Sequence, residues 1–307
     1  MQPLSHHSTH SHNPQQGIIL KLLSVLLFGL MTLQVKLLSE SYPTSQIVFS
    51  RSFFALFPLL PLIIMAGGLK ALRIKSLAGQ TLRNCVGLTA MILTFYSLPH
   101  VPLATFTTIQ FTMPLFVVLL AALFLHEKLS GGRLAAVLAG FIGVLIVLRP
   151  EVGGYDFYAL VALAAAFFVA IVTVTIRYLT ATESSIAIVF WFTLFCTVTS
   201  GAYMMTEYQQ PGLHDALLLI GSGLAGGAGQ VLLTQAYRYG QVSLLTAFEY
   251  TGIVWAVLFE LYFWDMWPDI YVLLGATIII GAGLHLLRHA TRTEKKAGIN
   301  AAPIKNS

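Results

Sequence analysis

Ten apolar stretches of about 15 to 23 residues run through the chain, separated by short polar breaks. At about 1.5 Å of helical rise per residue, each crosses the hydrocarbon core of a bilayer. They lie at 17–37, 46–66, 84–99, 103–125 and 134–148, and then at 158–176, 185–205, 216–236, 243–264 and 270–287. None alternates as a membrane strand does, and backbone groups in lipid must be satisfied within their own segment. The pattern predicts an all-α integral membrane protein with ten transmembrane helices.

The pattern repeats. Gln110-Phe111-Thr112 matches Glu249-Tyr250-Thr251 at an offset of 139 residues, which also sets Gly87 on Gly226 and Arg149 on Arg288. Ile47-Val48-Phe49 matches Ile188-Val189-Phe190 at an offset of 141. Each half holds five spans, an odd number, so the second half enters the membrane from the opposite side. The expected architecture is two inverted five-helix repeats, at 17–149 and 150–290, with an N-terminal tail at 1–16 and a basic C-terminal tail at 291–307. Inverted repeats build pathways that open to either face of a bilayer.

Composition agrees. The 307 residues are 57% hydrophobic and 9% charged, too few charges to cover a water-facing domain. With the N-terminus in the cytosol, one face gathers Lys70, Arg73, Lys75, Arg83, Lys128, Arg133, Arg177, Arg238, Arg288 and the four basic residues of the C-terminal tail. The other holds only Lys36 and Arg149, beside seven acids. Positive charge favours the cytosolic side, so both termini are expected there. The net charge of +5 reports this orientation; the basic residues are scattered over five segments and predict no nucleic-acid partner. The first stretch lacks a basic leader and a cleavage pattern, so it is read as a retained span. Cys85 and Cys196 both fall in spans and read as small packing residues.

No metal or cofactor site is expected. The histidine-rich run Ser5–His12 is polar and terminal, and reads as a disordered tail. The clustered Gly221, Gly223, Gly226, Gly227 and Gly229 lie in an apolar span without a Gly-Lys-Ser/Thr sequence; Gly223 and Gly227 read as a close helix contact. Intramembrane charges point more directly to function. Lys21, Lys36, Arg177 and Glu260 fall near span ends, where long side chains reach the headgroups. Arg51 and Glu249 lie deeper. Glu249 and its repeat counterpart Gln110 are candidate lining groups, and Glu249 is a candidate to meet a cationic group or carry a coupled proton. The aromatic and amide groups Tyr96, Phe111, Gln230 and Tyr250 complete the candidate substrate-binding set with Arg51. Pro114 interrupts the fourth span, and Pro58 and Pro61 the second.

Ten spans in two halves, the loop His126-Glu127-Lys128-Leu129-Ser130, the helix Gly140-Phe141-Ile142-Gly143-Val144 and Arg149-Pro150 resemble the EamA repeat of the drug/metabolite transporter superfamily. The resemblance runs from about residue 17 to 290; the second copy departs from it, with Asp265-Met266 in place of His126-Glu127. It implies a bacterial inner-membrane carrier whose central cavity is lined mainly by the third, fourth, eighth and ninth spans. Members carry amino acids, S-adenosylmethionine and riboflavin.

The leading expectation is therefore a secondary transporter moving a small organic metabolite, riboflavin-like or amino-acid-like, by alternating access. An exporter of metabolites or drugs, or an S-adenosylmethionine-type carrier, is the alternative. A passive channel and an intramembrane enzyme rank below these: no ring of like residues and no cluster of nucleophiles or carboxylates is visible. Substrate, direction, proton coupling and oligomeric state stay open.

Overall fold

A computed structural model describes residues 14–124, 131–148, 156–180, 182–239, 245 and 247–300. The histidine run, the 126–130 loop, Arg149-Pro150 and the last seven residues lie outside them. The described residues form helices and no strand. The elements are α1 (Pro14–Leu38), α2 (Thr44–Met65), α3 (Leu77–Ser97), α4 (Leu103–Gln110), α5 (Met113–Phe124), α6 (Gly131–Leu148), α7 (Asp156–Leu179), α8 (Ser185–Met204) and α9 (Leu213–Tyr239). A 3-10 turn, Phe248–Thr251, then leads into α10 (Gly252–Trp264), and α11 follows (Ile270–Asn300). Seven helices are long and apolar enough to cross a membrane, and α11 carries a further apolar stretch, Ile270–Leu286.

Two expected boundaries shift. The third span begins at Leu77 rather than at 84, because Gln80, Arg83 and Asn84 mask its first two turns as polar. Arg83 therefore sits inside a helix, 5% exposed, and not on a basic loop. At the other end α11 continues to Asn300, into the stretch expected as a tail.

The fourth span is broken. α4 ends at Gln110 and α5 starts at Met113. Pro114 has no N–H to give the Gln110 carbonyl four residues back, and its ring crowds that carbonyl. Thr112 donates its hydroxyl to the Ile109 carbonyl at 2.7 Å. The repeat-related Thr251 does the same to Phe248 at 2.6 Å, in the 3-10 turn before α10. The matched motifs Gln110–Thr112 and Glu249–Thr251 thus both fall where helix geometry changes.

Packing follows the small residues. α9 lies against α1 and α2, α2 also against α8, α3 against α7, and α6 against α11. A Cβ at Gly223 would stand 2.9 Å from the Arg51 carbonyl oxygen, and one at Gly227 2.7 Å from that of Ala55, so the pair does let α9 touch the α2 backbone. Gly143 and Gly275 serve the α6–α11 crossing reciprocally, a Cβ on either lying 2.7–3.0 Å from the other's carbonyl oxygen. The main apolar core, including Val35, Ile47, Phe95, Leu98, Phe106 and Ile109, fills the space between.

Candidate functional site

α1 presents one face along its length: Lys21, Val25, Phe28, Thr32 and Lys36 recur at spacings of three and four residues, the helical repeat. Opposite runs the segment from Glu249 to Glu260. Lys21 Nζ meets Glu249 Oε1 at 2.7 Å. Lys36 Nζ lies 3.8 Å from Glu260 Oε1 and donates to the Val101 carbonyl at 2.8 Å. The two lysines stand about 22 Å apart along α1, so α1 and α10 run parallel, tied at both ends.

Glu260 does more than pair with Lys36. Its two carboxylate oxygens accept from the backbone N–H groups of Leu103 at 2.7 Å and Ala104 at 2.9 Å. These are first-turn amides of α4, which have no helical partner of their own, and a negative charge there suits the helix dipole. Lys36 also lies 4.9 Å over the Trp264 ring. Lys36 and Glu260 are 5% and 2% exposed, so neither reaches for headgroups as the sequence suggested. They form a buried joint among α1, α4 and α10. Nearby, outside the spans, Tyr42 donates to Asp215 Oδ2 at 2.8 Å, and that bond holds its phenol above the ordinary tyrosine range.

Between the two ion pairs is a cavity of about 280 Å³, lined by Val25, Phe28, Gly29 and Thr32 of α1, by residues of α4 and α5, and by Glu249, Tyr250, Gly252, Ala256 and Phe259. Gln110 and Phe111 border it, so both helix breaks face the same space. Phe111 and Tyr250 meet across it, ring centroids 5.0 Å apart and planes at 73°, a favourable edge-to-face arrangement. Gln110 Nε2 and the Tyr250 hydroxyl are buried and find no hydrogen-bond partner among the described residues. An apolar chamber with a few unpaired polar groups is the usual form of a small-molecule site.

Four of the seven sequence-predicted binding residues, Gln110, Phe111, Glu249 and Tyr250, therefore come together. The other three do not line this cavity. Tyr96 is 45% exposed at the end of α3, its ring 5.8 Å from that of Tyr158. Gln230 lies on α9, its carbonyl accepting from the Thr234 hydroxyl. Arg51 is held among α2, α3 and α9. The lining spans also differ from those the resemblance implied: the first span supplies a wall, and the third and eighth supply none. Lys21, passed over as a near-surface charge, was missed. Its regular spacing to Lys36 on one face of α1 was the available signal.

The sequence profile of the EamA-like transporter family matches residues 15–149 and again 156–287. The chain belongs to the EamA-like transporter family. Among curated relatives, this EamA chain is 30% identical over 276 residues to a pseudopaline exporter of Pseudomonas aeruginosa, covering 89% of this chain and 96% of that one. It is 30% identical to a riboflavin transporter of Brucella anthropi (83% and 92% covered). To an S-adenosylmethionine uptake transporter of Rickettsia bellii it is 27% identical (92% and 95% covered). A solved crystal structure shares the fold with a TM-score of 0.64 at 18% identity, over 91% of this chain and 99% of that one. This EamA-family chain is a multi-pass membrane transporter of small molecules, and the names of its relatives are those of transporters rather than enzymes.

Proposed function

We propose that this transporter is a bacterial inner-membrane carrier of ten spans in two inverted repeats, both termini cytosolic, working by alternating access around the Gln110–Glu249 cavity. Its two copies would be residues 17–149 and 150–290. One observation carries the reading: the repeat-related breaks at Gln110–Thr112 and Glu249–Thr251 border one cavity. Discontinuous helices at a repeat interface are where such carriers hold solute. The packing pairs support it, since α1 on α9 and α7 on α3 are related by exchange of the halves, while α2–α8 and α6–α11 are pairs of equivalent helices.

Lys21–Glu249 closes the cytosolic end of the chamber and Lys36–Glu260 the outer end. Rocking of one half against the other opens one pair while the other holds. When Lys21 releases Glu249, the carboxylate takes a cationic or hydrogen-bonding group of the solute, or a coupled proton. The Gln110 amide binds the solute's polar groups, and Phe111 and Tyr250 pack on its apolar part.

The cavity is at the small end of the range of about 300–1,000 Å³ typical of ligand pockets. An amino-acid-like solute fits it as it stands; a riboflavin-like solute requires the chamber to widen. An exporter working on metabolites, or an S-adenosylmethionine-type carrier, would use the same site in the other direction.

Proteoliposomes holding the purified chain, loaded or bathed with labelled amino acids, S-adenosylmethionine or riboflavin, test this. At least one solute should move across the bilayer, and Glu249→Gln should slow it and alter its pH dependence. Movement unchanged by Glu249→Gln in rate and pH profile would remove the site. Cysteine labelling that put the two termini on opposite faces would remove the inverted architecture.

A further inference from the structure

A second polar site lies apart from the Lys–Glu cavity, among α2, α3, α8 and α9. Among the described residues, Arg51 Nε and the Nε and Nη1 of Arg83 are buried without a hydrogen-bond acceptor. The nearest partner of Arg51 Nη1 is the Met91 sulfur at 3.9 Å, a weak acceptor. The Arg83 guanidinium lies 3.7 Å over the Phe192 ring. Both guanidiniums are within Coulombic range of the Cys196 sulfur and of each other. Among the described residues no carboxylate pairs with either.

The internal repeat explains how they come together. Phe192 is the repeat counterpart of Arg51, and Gly87 that of Gly226. A Cβ at Gly226 would stand 3.5 Å from Arg51 Nε, and one at Gly87 2.7 Å from Phe192 Cε2 and 3.3 Å from Arg83 Nη1. At Gly226 the Met31 sulfur takes the space, 2.7 Å from such a Cβ, with Arg51 beside it; at Gly87 Phe192 takes it, with Arg83 laid upon its face. The arrangement concentrates two positive charges with no carboxylate paired to either among the described residues.

A cavity of about 350 Å³ lies between α2, α3 and α8. It is lined by Val48, Leu88, Ile92, Ser200 and Glu207, among others. Arg51 lies one turn beyond Val48 on α2, Cys196 one turn before Ser200 on α8, and Met91 beside Ile92 on α3. Arginine does not lose its proton, and a buried charge without a partner is strongly unfavourable. Stacking on Phe192 offsets part of that cost. It leaves the forked N–H groups, whose geometry matches two oxygens of a carboxylate or phosphate.

We propose that Arg51 and Arg83 together bind an oxyanion, the carboxylate or phosphate of a transported solute, at the foot of the α2–α3–α8 cavity. This rests on reading the chain as a small-solute carrier and narrows its substrates to acids or zwitterions. Arg51, outside the Gln110–Glu249 chamber, thereby regains a binding role. Arg83 joins it.

The test is equilibrium binding to the purified full chain in neutral detergent, which needs no transport. Acetate, citrate and inorganic phosphate are titrated against chloride at matched ionic strength, with the thermal unfolding midpoint as readout. At least one oxyanion should raise the midpoint saturably, and Arg51→Gln or Arg83→Gln should weaken its apparent Kd by about tenfold or more. Arg83→Met should raise the midpoint of the anion-free protein, since an uncompensated buried charge is removed. Should Arg83→Gln not fold, Arg83→Lys, which keeps the charge but not the fork, should show the weakening. The proposal is overturned if no oxyanion acts beyond chloride, or if the response survives both Gln variants. It is also overturned if phosphatidylglycerol alone stabilises in an Arg83-dependent way and soluble oxyanions do not compete, which makes the occupant a lipid headgroup. A chain that binds oxyanions through these arginines but moves no solute would instead sink the carrier mechanism.

Discussion

Phe111 and Tyr250, equivalent positions of the internal repeat, meet with ring centroids 5.0 Å apart. In the proposed inverted architecture, two equivalent residues that touch lie near the axis relating the halves. Each follows or sits within a break in its helix, and each borders the cavity. The contact gives a handle on how the cavity walls are set.

Tyr250 is set from behind by Gly283. A Cβ there would fall 1.8 Å from the Tyr250 hydroxyl oxygen, so Gly283→Ala should push the ring toward Phe111 and narrow the chamber. Overpacking of this kind costs about 1–3 kcal/mol. Tyr250→Phe removes the closest atom, and the double variant should recover part of the loss. Thermal unfolding of the four proteins measures the coupling; strict additivity would place the ring elsewhere.

The Lys21–Glu249 pair is unequal. Lys21 is 1% exposed and Glu249 39%. Glu249→Gln takes the carboxylate from a buried ammonium, whereas Lys21→Met leaves a carboxylate that water reaches. Glu249→Gln should therefore be the more destabilising single change, and Lys21→Met/Glu249→Gln should be more stable than Glu249→Gln alone. Denaturation midpoints in detergent decide the order.

Glu260 tests the outer joint. Ala removes the acceptor of two α4 amides and the partner of Lys36, and breaking a buried pair costs about 3–5 kcal/mol. Gln keeps one acceptor oxygen without the charge and should fall between Ala and wild type. Faster exchange of the Leu103 and Ala104 amides in Glu260→Ala than in wild type, read by hydrogen exchange, would accompany the loss.

The α6–α11 crossing supplies a contrast within one helix. A Cβ at Gly275 would lie 2.3 Å from Val147 Cγ2 and 2.7 Å from the Gly143 carbonyl oxygen, whereas one at Gly281 meets nothing within 4 Å. Gly275→Ala should part the helices and lower the unfolding midpoint. Gly281→Ala should leave it unchanged or raise it, by up to about 1 kcal/mol of helix propensity.

Much of the fold was legible. Apolar runs of membrane length can only be helices in lipid, and the Gln110-Phe111-Thr112 and Glu249-Tyr250-Thr251 match put in correspondence two positions that the structure finds at breaks. Pro114 announced one of them. The third span was read seven residues late because hydropathy treats Gln80, Arg83 and Asn84 as loop. In the bundle Gln80 and Asn84 bond each other at 3.0 Å and the α8 carbonyls of Ile188 and Trp191.

Charge placement was least legible. Depth along a span is countable from the sequence, but direction around it is not. Lys36 and Glu260 looked like end residues reaching for headgroups, and only the packing of α1 on α10 turned both inward. Tyr96 and Gln230 failed as cavity residues for the same reason.

The order of apolar runs, their duplication and the positions of the breaks belong to the sequence, because helix formation in lipid depends on local composition and backbone hydrogen bonding alone. Which lysine meets which glutamate, and that two arginines lie buried with no carboxylate paired to them among the described residues, was decided by the tertiary structure. Those pairings depend on the rotation and separation of helices far apart in the chain, which are fixed by glycine contacts and side-chain volume rather than by any local pattern.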